Sequence, residues 1–221
     1  MALLWWLRKL WVRPLVGLYR LVDAPGIIDR DVAMWLERNY LPPGPTAASL
    51  AELLVAPECR NLYYHRLAHG GSRWLRALAG VAGLIWRPLT GLELNCDDIG
   101  PGLVVSHAHG TILTAARIGS DCWIHHQVTF GWDYATGIPT VGDRVFVGAG
   151  AKVFGDVHIG DDVRIGANAV VLSDVPAGAT AVGVPARIIP AGRTDPAGRT
   201  DPPGRTDPAG RTRSGDDGRG G

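Results

Sequence analysis

Hydrophobic positions recur at two different spacings along the 221-residue chain, and the spacing changes near residue 90. Up to that point apolar residues return every three or four positions, which is the spacing of amphipathic helices. Ser49 followed by Glu52 is a capping-box pattern and predicts a short helix that runs through Val55. The other predicted helices cover residues 1–22, 31–40, 57–69 and 72–86.

From residue 99 onward an aliphatic or aromatic residue recurs at steps of 6, 7, 6, 6, 6, 11, 6, 6, 6, 6 and 6. Glycine follows that residue in seven of the twelve cases, so tight corners accompany the repeat. Neither a helix nor an alternating strand sustains a period of six, whereas a solenoid of short strands and turns does. The repeated residues, which the solenoid would turn inward, are Ile99, Val105, Ile112, Ile118, Ile124, Phe130, Val141, Val147, Val153, Ile159, Ile165 and Val171.

A second period of six, in GRTDPAGRTDPPGRTDPAGRT (192–212), has a different meaning. These units contain no aliphatic residue larger than alanine, and their prolines cannot donate to a strand ladder. Without burial to offset the entropy of ordering, such a segment stays disordered. The sequence therefore predicts a helical region over 1–90, a β-solenoid over 91–190 and a disordered tail over 191–221.

The N-terminal helix combines a basic side with an apolar side. At 100° per residue, Lys9, Arg13 and Arg20 lie on one side. A basic helix that carries Trp is able to lie on a membrane surface, which would place a cytoplasmic protein at the inner face of the membrane. The alternative is that the apolar side packs on other helices or on a partner subunit, and it is favoured because apolar stripes are usually core. That side carries Leu4, Leu7, Trp11, Leu15, Leu18 and Val22.

Charge and cysteine content narrow the function classes. Residues 1–90 carry 11 Lys and Arg against 6 Asp and Glu, whereas residues 91–190 carry 5 against 10. No run rich in Lys and Arg occurs, which argues against nucleic-acid binding. Cys59, Cys96 and Cys122 form no CxxC pair. A disulfide framework or a thiolate zinc site is therefore not predicted, and the pattern is typical of a reducing cytosol.

The period of six, the segment VGDRVFVGAGAKVFGDVHIGDDVRIGANAVVLSDVP and the ending AVGVPARII together resemble the hexapeptide-repeat acyltransferases. Within them the chain is most similar to the serine acetyltransferase group and its saccharide O-acetyltransferase relatives, over about residues 90–190. The resemblance implies an all-β left-handed parallel β-helix with three six-residue units per coil, an exception to the right-handed crossover rule. It also implies a homotrimer with active sites between subunits, and acetyl-CoA as the donor.

Three units per coil would stack the inward residues in columns, one of which is Val105, Ile124, Val147 and Ile165. The residues two positions later would form a neighbouring column along one edge. Two histidines in that column would stand above two alanines, whose small size leaves room for an extended ligand. The column is His107, His126, Ala149 and Ala167.

The stretch VVSHAHGTI (104–112) carries the candidate chemistry. The resemblance implies that His107 is the catalytic base, because the family's base lies in a segment similar to SHAHG. An imidazole titrates near neutral pH and is able to take the proton of an acceptor hydroxyl as that oxygen attacks the thioester. The family places an acidic residue upstream to orient the other ring nitrogen, and Glu93 in GLELN is the nearest match, across a one-residue deletion. The alternative is that His107 is a solvated corner residue.

Three positions depart from the serine acetyltransferase pattern. The family has Asp before the base, where this chain has Ser106, and an Arg-His pair before a proline, where it has Gly137 and Ile138. An amino-acid acceptor carries an ammonium and a carboxylate, and both need charged partners. In the same loop, Trp132, Asp133 and Tyr134 offer aromatic faces and a carboxylate, which suit a sugar. The alternative is that Trp132 and Tyr134 simply pack the loop against the next subunit. A saccharide acceptor is therefore predicted, with serine O-acetylation in cysteine biosynthesis as the alternative.

The remaining candidate residues divide between the two substrates. Ser106, His109 and His126 are predicted to lie on the acceptor side. The alternative for His109 is a structural role, and the alternative for His126 is an ordinary surface histidine. Lys152 and Arg187 are predicted to meet the CoA phosphates. Small residues whose backbone is able to approach a pantetheine arm, or which serve corner geometry alone, are Gly131, Gly148, Ala149, Ala151 and Ala167.

Two other classes of protein are alternatives to the acyltransferase hypothesis. A metal protein similar to the γ-type carbonic anhydrases has three histidine ligands, two of them five residues apart. His107, His126 and His158 lack that spacing, so no metal site is predicted. A non-catalytic trimeric scaffold is the other alternative.

Overall fold

The computed structural model describes residues 2–22, 26–70 and 72–192, with side chains from Trp6 onward. The predicted disordered tail falls outside these ranges beyond Gly192. In the described part, a helical region precedes a β-helix, as the sequence predicts. The helices are α1 Ala2–Tyr19, α2 Gly26–Arg38, α3 Thr46–Leu53, α4 Pro57–His69 and α5 Arg73–Ile85.

Short strands wind into about five turns of a left-handed parallel β-helix, which confirms the predicted fold. In chain order they are β1 Leu92–Asn95, β2 Val104–Val105, β3 Thr111–Thr114, β4 Arg117–Ile118, β5 Trp123–Ile124, β6 Thr129–Gly131, β7 Thr140–Val141, β8 Phe146–Val147, β9 Lys152–Phe154, β10 His158–Ile159, β11 Arg164–Ile165, β12 Val170–Val171, β13 Thr180–Val182 and β14 Arg187–Ile189. They form three sheets, ordered β1-β3-β6-β9-β12, β10-β7-β4 and β14-β13-β11-β8-β5-β2. Only the β13–β14 pairing is antiparallel among the described strands.

The strand register confirms the predicted columns. Val105 pairs with Ile124, Ile124 with Val147, and Val147 with Ile165. The residues two positions after each of these therefore stack as well, which puts His107 above His126 at one edge. Aliphatic side chains from all three sheets fill the interior, and most of those repeated every six residues are fully buried.

One of the predicted inward residues is wrong. Ile112 is 36% exposed, whereas its neighbour Leu113 is completely buried and pairs with Phe130. The cause lies in the corner before β3, where residues 106–110 separate β2 from β3, while the equivalent corners of the next three coils contain one residue fewer. The extra residue shifts the inward position by one, because side chains alternate between the two faces of a strand.

The predicted capping box is also wrong. α3 begins at Thr46, and no side chain caps its N-terminus. Ser49 lies inside the helix and is buried, and its backbone N–H donates to the carbonyl of Pro45. The helix begins one turn earlier than predicted, and its Leu50 and Leu53 lie in the core of the helical region.

The apolar side of α1 packs on the other helices over its C-terminal half, as the favoured alternative predicts. Leu15 and its neighbour Val12 are buried in one core with residues of α2 to α5. Towards the N-terminus, Leu7 and Trp11 are exposed, and the side chain of Leu4 lies outside the described part. None of the described helices is long and apolar enough to cross a membrane.

A buried ion pair joins the helices to the first coil. Arg66 Nε lies 2.8 Å from Asp31 Oδ2, and Arg66 also donates to the carbonyl oxygens of Ile99 and Gly100. The backbone N–H of Gly102 donates to Asp31 Oδ1 at 2.7 Å. Burial raises the pKa of the Asp31 carboxyl, against the opposing effect of Arg66. This network holds α2 and α4 on the β-helix and so sets the direction in which α2 ends.

Candidate active site

The SHAHG corner between β2 and β3 has an unusual backbone. His107 has φ of 60° and Ala108 has φ of 23°. In the next coil the left-handed residue is Gln127, one position later than His107 in the column. A left-handed residue recurs at this corner in the following coils, as Gln127, Gly150 and Asn168, so the SHAHG corner differs in having two such residues in succession. His109 N–H closes the turn on the His107 carbonyl, so the extra residue of this corner rotates His107 out of the regular pattern, where it is exposed.

The predicted pair of histidines is present. The rings of His107 and His126 lie 6.0 Å apart between centroids and meet edge to face. His126 Nδ1 is buried and has no hydrogen-bond partner among the described residues. Below the two rings, the column continues as Ala149, which is half-buried, and Ala167, which is exposed. The edge therefore presents an imidazole above a strip of small side chains.

His125 is a member of this group that the sequence analysis missed. Its ring lies 6.4 Å from that of His126 and packs on Trp123 at 5.1 Å and on Phe146 at 5.4 Å. Burial, together with the neighbouring His126 and His107, lowers the pKa of His125, so its ring is neutral at pH 7. No sequence signal pointed to His125, because the solenoid period alone does not show which of two adjacent histidines packs on the outer face of the sheet.

Ser106, the residue before the candidate base, is held by the same aromatic group. Trp123 Nε1 donates to Ser106 Oγ at 2.8 Å. The Arg38 guanidinium, at the end of α2, lies over the Trp123 ring with its carbon 4.8 Å from the ring centre. The helical region thus contributes a cation close to the SHAHG corner, and no sequence pattern in 1–90 indicated it.

Glu93 lies on β1, where it pairs with Ile112 in the strand register. Its carboxylate accepts a hydrogen bond from Asn95 Nδ2 at 3.3 Å. In the described part of the chain, Glu93 makes no hydrogen bond or ion pair with His107. Its role as the carboxylate that orients the base stays a prediction.

The loop between β6 and β7 folds on itself. Trp132 and Tyr134 pack on each other in a tilted arrangement with ring centroids 4.5 Å apart, and both are exposed. The backbone of Asp133 pairs with that of Gly137, and the Asp133 carboxylate accepts from the N–H of Ala135. The loop explains the eleven-residue step in the repeat. It presents an aromatic surface, and a contact of Trp132 or Asp133 with the acceptor stays a prediction.

The glycines on the predicted donor side are required by the stacking of the coils. A Cβ on Gly131 would come within 2.2 Å of the Phe154 ring, and one on Gly148 within 2.6 Å of the Ala167 backbone nitrogen. The side chain of Ala151 is buried inside the coil. Corner and stacking geometry therefore accounts for these small residues, and their contact with a pantetheine arm stays a prediction.

The two predicted phosphate ligands differ in their surroundings. Lys152 Nζ donates to the carbonyl oxygens of Gln127 and Gly150, so it already joins two successive corners. Arg187 lies exposed on β14. Contacts of either side chain with CoA stay predictions. In the residues that the structure describes, no group of three or more His, Cys, Asp and Glu is arranged to hold a metal ion.

Comparison with known proteins places this geometry in a family. A family model described as bacterial transferase hexapeptide (six repeats) matches residues 139–173. The serine acetyltransferase of Mycobacterium tuberculosis is 42% identical over 165 residues, which cover 72% of this chain and 70% of that protein.

Solved structures agree with the sequence comparison. The serine acetyltransferase of Neisseria gonorrhoeae in complex with serine superposes with a TM-score of 0.58 and 31% identity, covering 73% of this chain and 67% of that one. A serine acetyltransferase in complex with CoA superposes with a TM-score of 0.58 and 27% identity, covering 78% of this chain and 73% of that one. The likeness extends beyond the β-helix, because residues 91–190 make up less than half of this chain.

Proposed function

Because the chain belongs to the serine acetyltransferase family of hexapeptide-repeat transferases, and is thereby an acetyl-CoA-dependent acyltransferase, we propose that its acceptor is the hydroxyl of L-serine. The observation that carries the proposal is the 42% identity to a serine acetyltransferase across 72% of the chain. The saccharide acceptor predicted from the sequence finds no support in the comparisons, which favour the alternative.

The proposed reaction uses His107 as general base. A ring nitrogen of His107 takes the proton of the serine hydroxyl as that oxygen attacks the carbonyl carbon of the acetyl thioester. The tetrahedral intermediate collapses with cleavage of the C–S bond, and the proton held by the imidazole goes to the departing CoA sulfur. The products are O-acetylserine and free CoA, and the histidine returns to its neutral state.

The exposure of His107 in the single chain agrees with an active site completed by a second subunit, and we propose a homotrimer. The substrates would then lie along the His107–Ala167 edge, between protomers. A contact with a membrane surface has no support in the comparisons, although the N-terminal half of α1 exposes apolar side chains.

Release of free thiol from acetyl-CoA tests the acceptor. We expect release that depends on L-serine and forms O-acetylserine, identified by mass, while a panel of saccharides gives no more release than buffer. The His107→Ala variant is the control for hydrolysis of acetyl-CoA without an acceptor. Turnover of a saccharide together with no turnover of L-serine would overturn the proposal and support the hypothesis that the acceptor is a saccharide.

A further inference from the structure

Arg38 differs from the other arginines that lie between the helices and the β-helix. Arg66 is paired with Asp31, and Arg30 makes a two-pronged ion pair with Asp121, at 2.7 Å on each side. The Arg38 guanidinium makes no hydrogen bond or ion pair with any described residue, and its Nε atom is buried. Burial lowers the pKa of Arg38, because a desolvated cation is destabilised. A half-buried guanidinium of this kind is an incomplete site for an anion.

The position of Arg38 links it to the candidate base. It lies on the face of Trp123, whose indole N–H binds Ser106, the residue before His107. The neighbouring rings of His125 and His126 continue the cluster to His107 without a break. Asp121 is the carboxylate that raises the pKa of Arg38 electrostatically. Both carboxylate oxygens of Asp121 are already bound by Arg30. The cluster therefore offers positive charge and hydrogen-bond donors with no free anion of its own.

We propose that Arg38 binds the carboxylate of the amino-acid acceptor and so determines the specificity for it; this inference rests on the proposed function. An amino-acid acceptor needs a cation for its carboxylate, and Gly137 and Ile138 of the loop provide none. The guanidinium presents parallel N–H donors that match the two oxygens of a carboxylate. Trp123 holds the guanidinium in place through its ring face, and it holds Ser106 through its N–H.

A phosphate of CoA is the other anion that the same guanidinium chemistry would accept. The two possible anions differ in which substrate's KM changes when Arg38 is replaced. A carboxylate partner makes the KM for serine sensitive to the residue, whereas a phosphate partner makes the KM for acetyl-CoA sensitive. L-Serinamide separates them further, since it keeps the hydroxyl and the amine of serine but has no carboxylate.

The experiment compares L-serine with L-serinamide as acceptor for the full chain and for Arg38→Gln. We expect the wild type to prefer serine, and the substitution to lower kcat/KM for serine about 10- to 100-fold, mainly through KM, because two charge-assisted hydrogen bonds are lost. Activity with serinamide and the KM for acetyl-CoA should change little. Arg38→Lys should recover part of the loss, since lysine restores the positive charge but not the paired N–H donors of the guanidinium.

Arg30→Gln is the matched control, because it removes the same charge from the same helix, two turns away. It should leave the preference for serine over serinamide intact, and the melting temperatures of both variants show whether the fold is retained. The inference is overturned if Arg38→Gln keeps the preference for serine, if its main effect is on acetyl-CoA, or if Arg30→Gln has the same effect. In those cases serine turnover by the wild type leaves the proposed function standing, whereas a wild type that does not acetylate serine overturns both.

Discussion

The imidazole rings of His107 and His126 stand on successive coils and meet edge to face, with centroids 6.0 Å apart and planes inclined by 73°. The upper ring is exposed on a left-handed turn, while the lower ring is partly buried on a regular corner. The same column thus places one histidine in contact with solvent and another beneath it, packed against the first.

Replacing His107 with Ala should lower kcat by ~10²–10⁴-fold with little change in the KM for acetyl-CoA, because a general base acts in the transition state. Initial rates of CoA release at saturating acetyl-CoA measure the effect. His158→Ala is the control, since His158 is an exposed histidine in a different sheet of the same β-helix and should retain activity. Near-full activity of the His107 variant would remove this residue from the mechanism.

Breaking the pair between Asp31 and Arg66 should strongly destabilise the protein. Arg66→Met leaves a buried carboxylate without its partner, which costs about 3–5 kcal/mol in the free energy of unfolding. Combining it with Asp31→Asn should recover part of that loss, since the unpaired charge is gone. Urea unfolding measures both, and Arg30→Gln, which breaks an exposed pair with Asp121, should cost no more than about 1 kcal/mol. A small effect of Arg66→Met alone would contradict the role given to this pair.

Stability should fall as the pH is lowered from 7 towards 4, partly because of His65. Burial lowers the pKa of His65 to about 4, and its Nε2 lies 2.7 Å from the Cys96 carbonyl oxygen. Between that value and the ordinary pKa of histidine the unfolded chain binds more protons than the folded one, so stability is full above about pH 6.5 and is lost as the pH falls towards 4. Because the ring is only partly buried, the contribution is about 1–2 kcal/mol.

Thermal unfolding at several pH values checks this dependence. His65→Gln should flatten it, since the amide is able to donate to the Cys96 carbonyl without titrating. Two groups close to His65 also carry or can carry charge: Arg66 follows it in the chain, and the His69 ring stacks on it and pairs with Asp97. The variant His69→Gln is therefore the comparison that separates the effect of His65 from that of its neighbour. An unchanged slope in His65→Gln would show that other groups cause the acid sensitivity.

Truncation after Gly192 should leave the melting temperature and acetyl-CoA binding unchanged, because the GRTDP units have no aliphatic side chain larger than alanine to bury. Truncation after Gly183 is the contrasting variant. It removes β14, the antiparallel strand that covers the edge of β13, and should lower the melting temperature and promote association through the bare edge. A large loss of stability in the longer variant would show that the tail packs on the fold.

The sequence determined the solenoid, because a period of six with small residues at the corners is compatible with no other regular structure. It also determined the column that contains His107 and His126, since counting three inward residues per coil brings equivalent residues of successive coils together. The family resemblance followed from the same residues, and with it acetyl transfer from acetyl-CoA. The saccharide acceptor inferred from Ser106, Gly137 and Ile138 has no support in the comparisons, which favour serine. That inference used three positions that lack a charge, and such positions do not show whether another element supplies the charge.

Only the tertiary structure decided where the solenoid departs from its period and what meets it from outside. The extra residue of the SHAHG corner moves the inward position from Ile112 to Leu113 and turns His107 outward, and counting positions could not separate these two registers. Arg38 reaches Trp123 because the buried pair of Asp31 and Arg66 fixes how α2 lies on the first coil. Such contacts join residues far apart in the chain, so they depend on packing between elements, which local spacing does not encode.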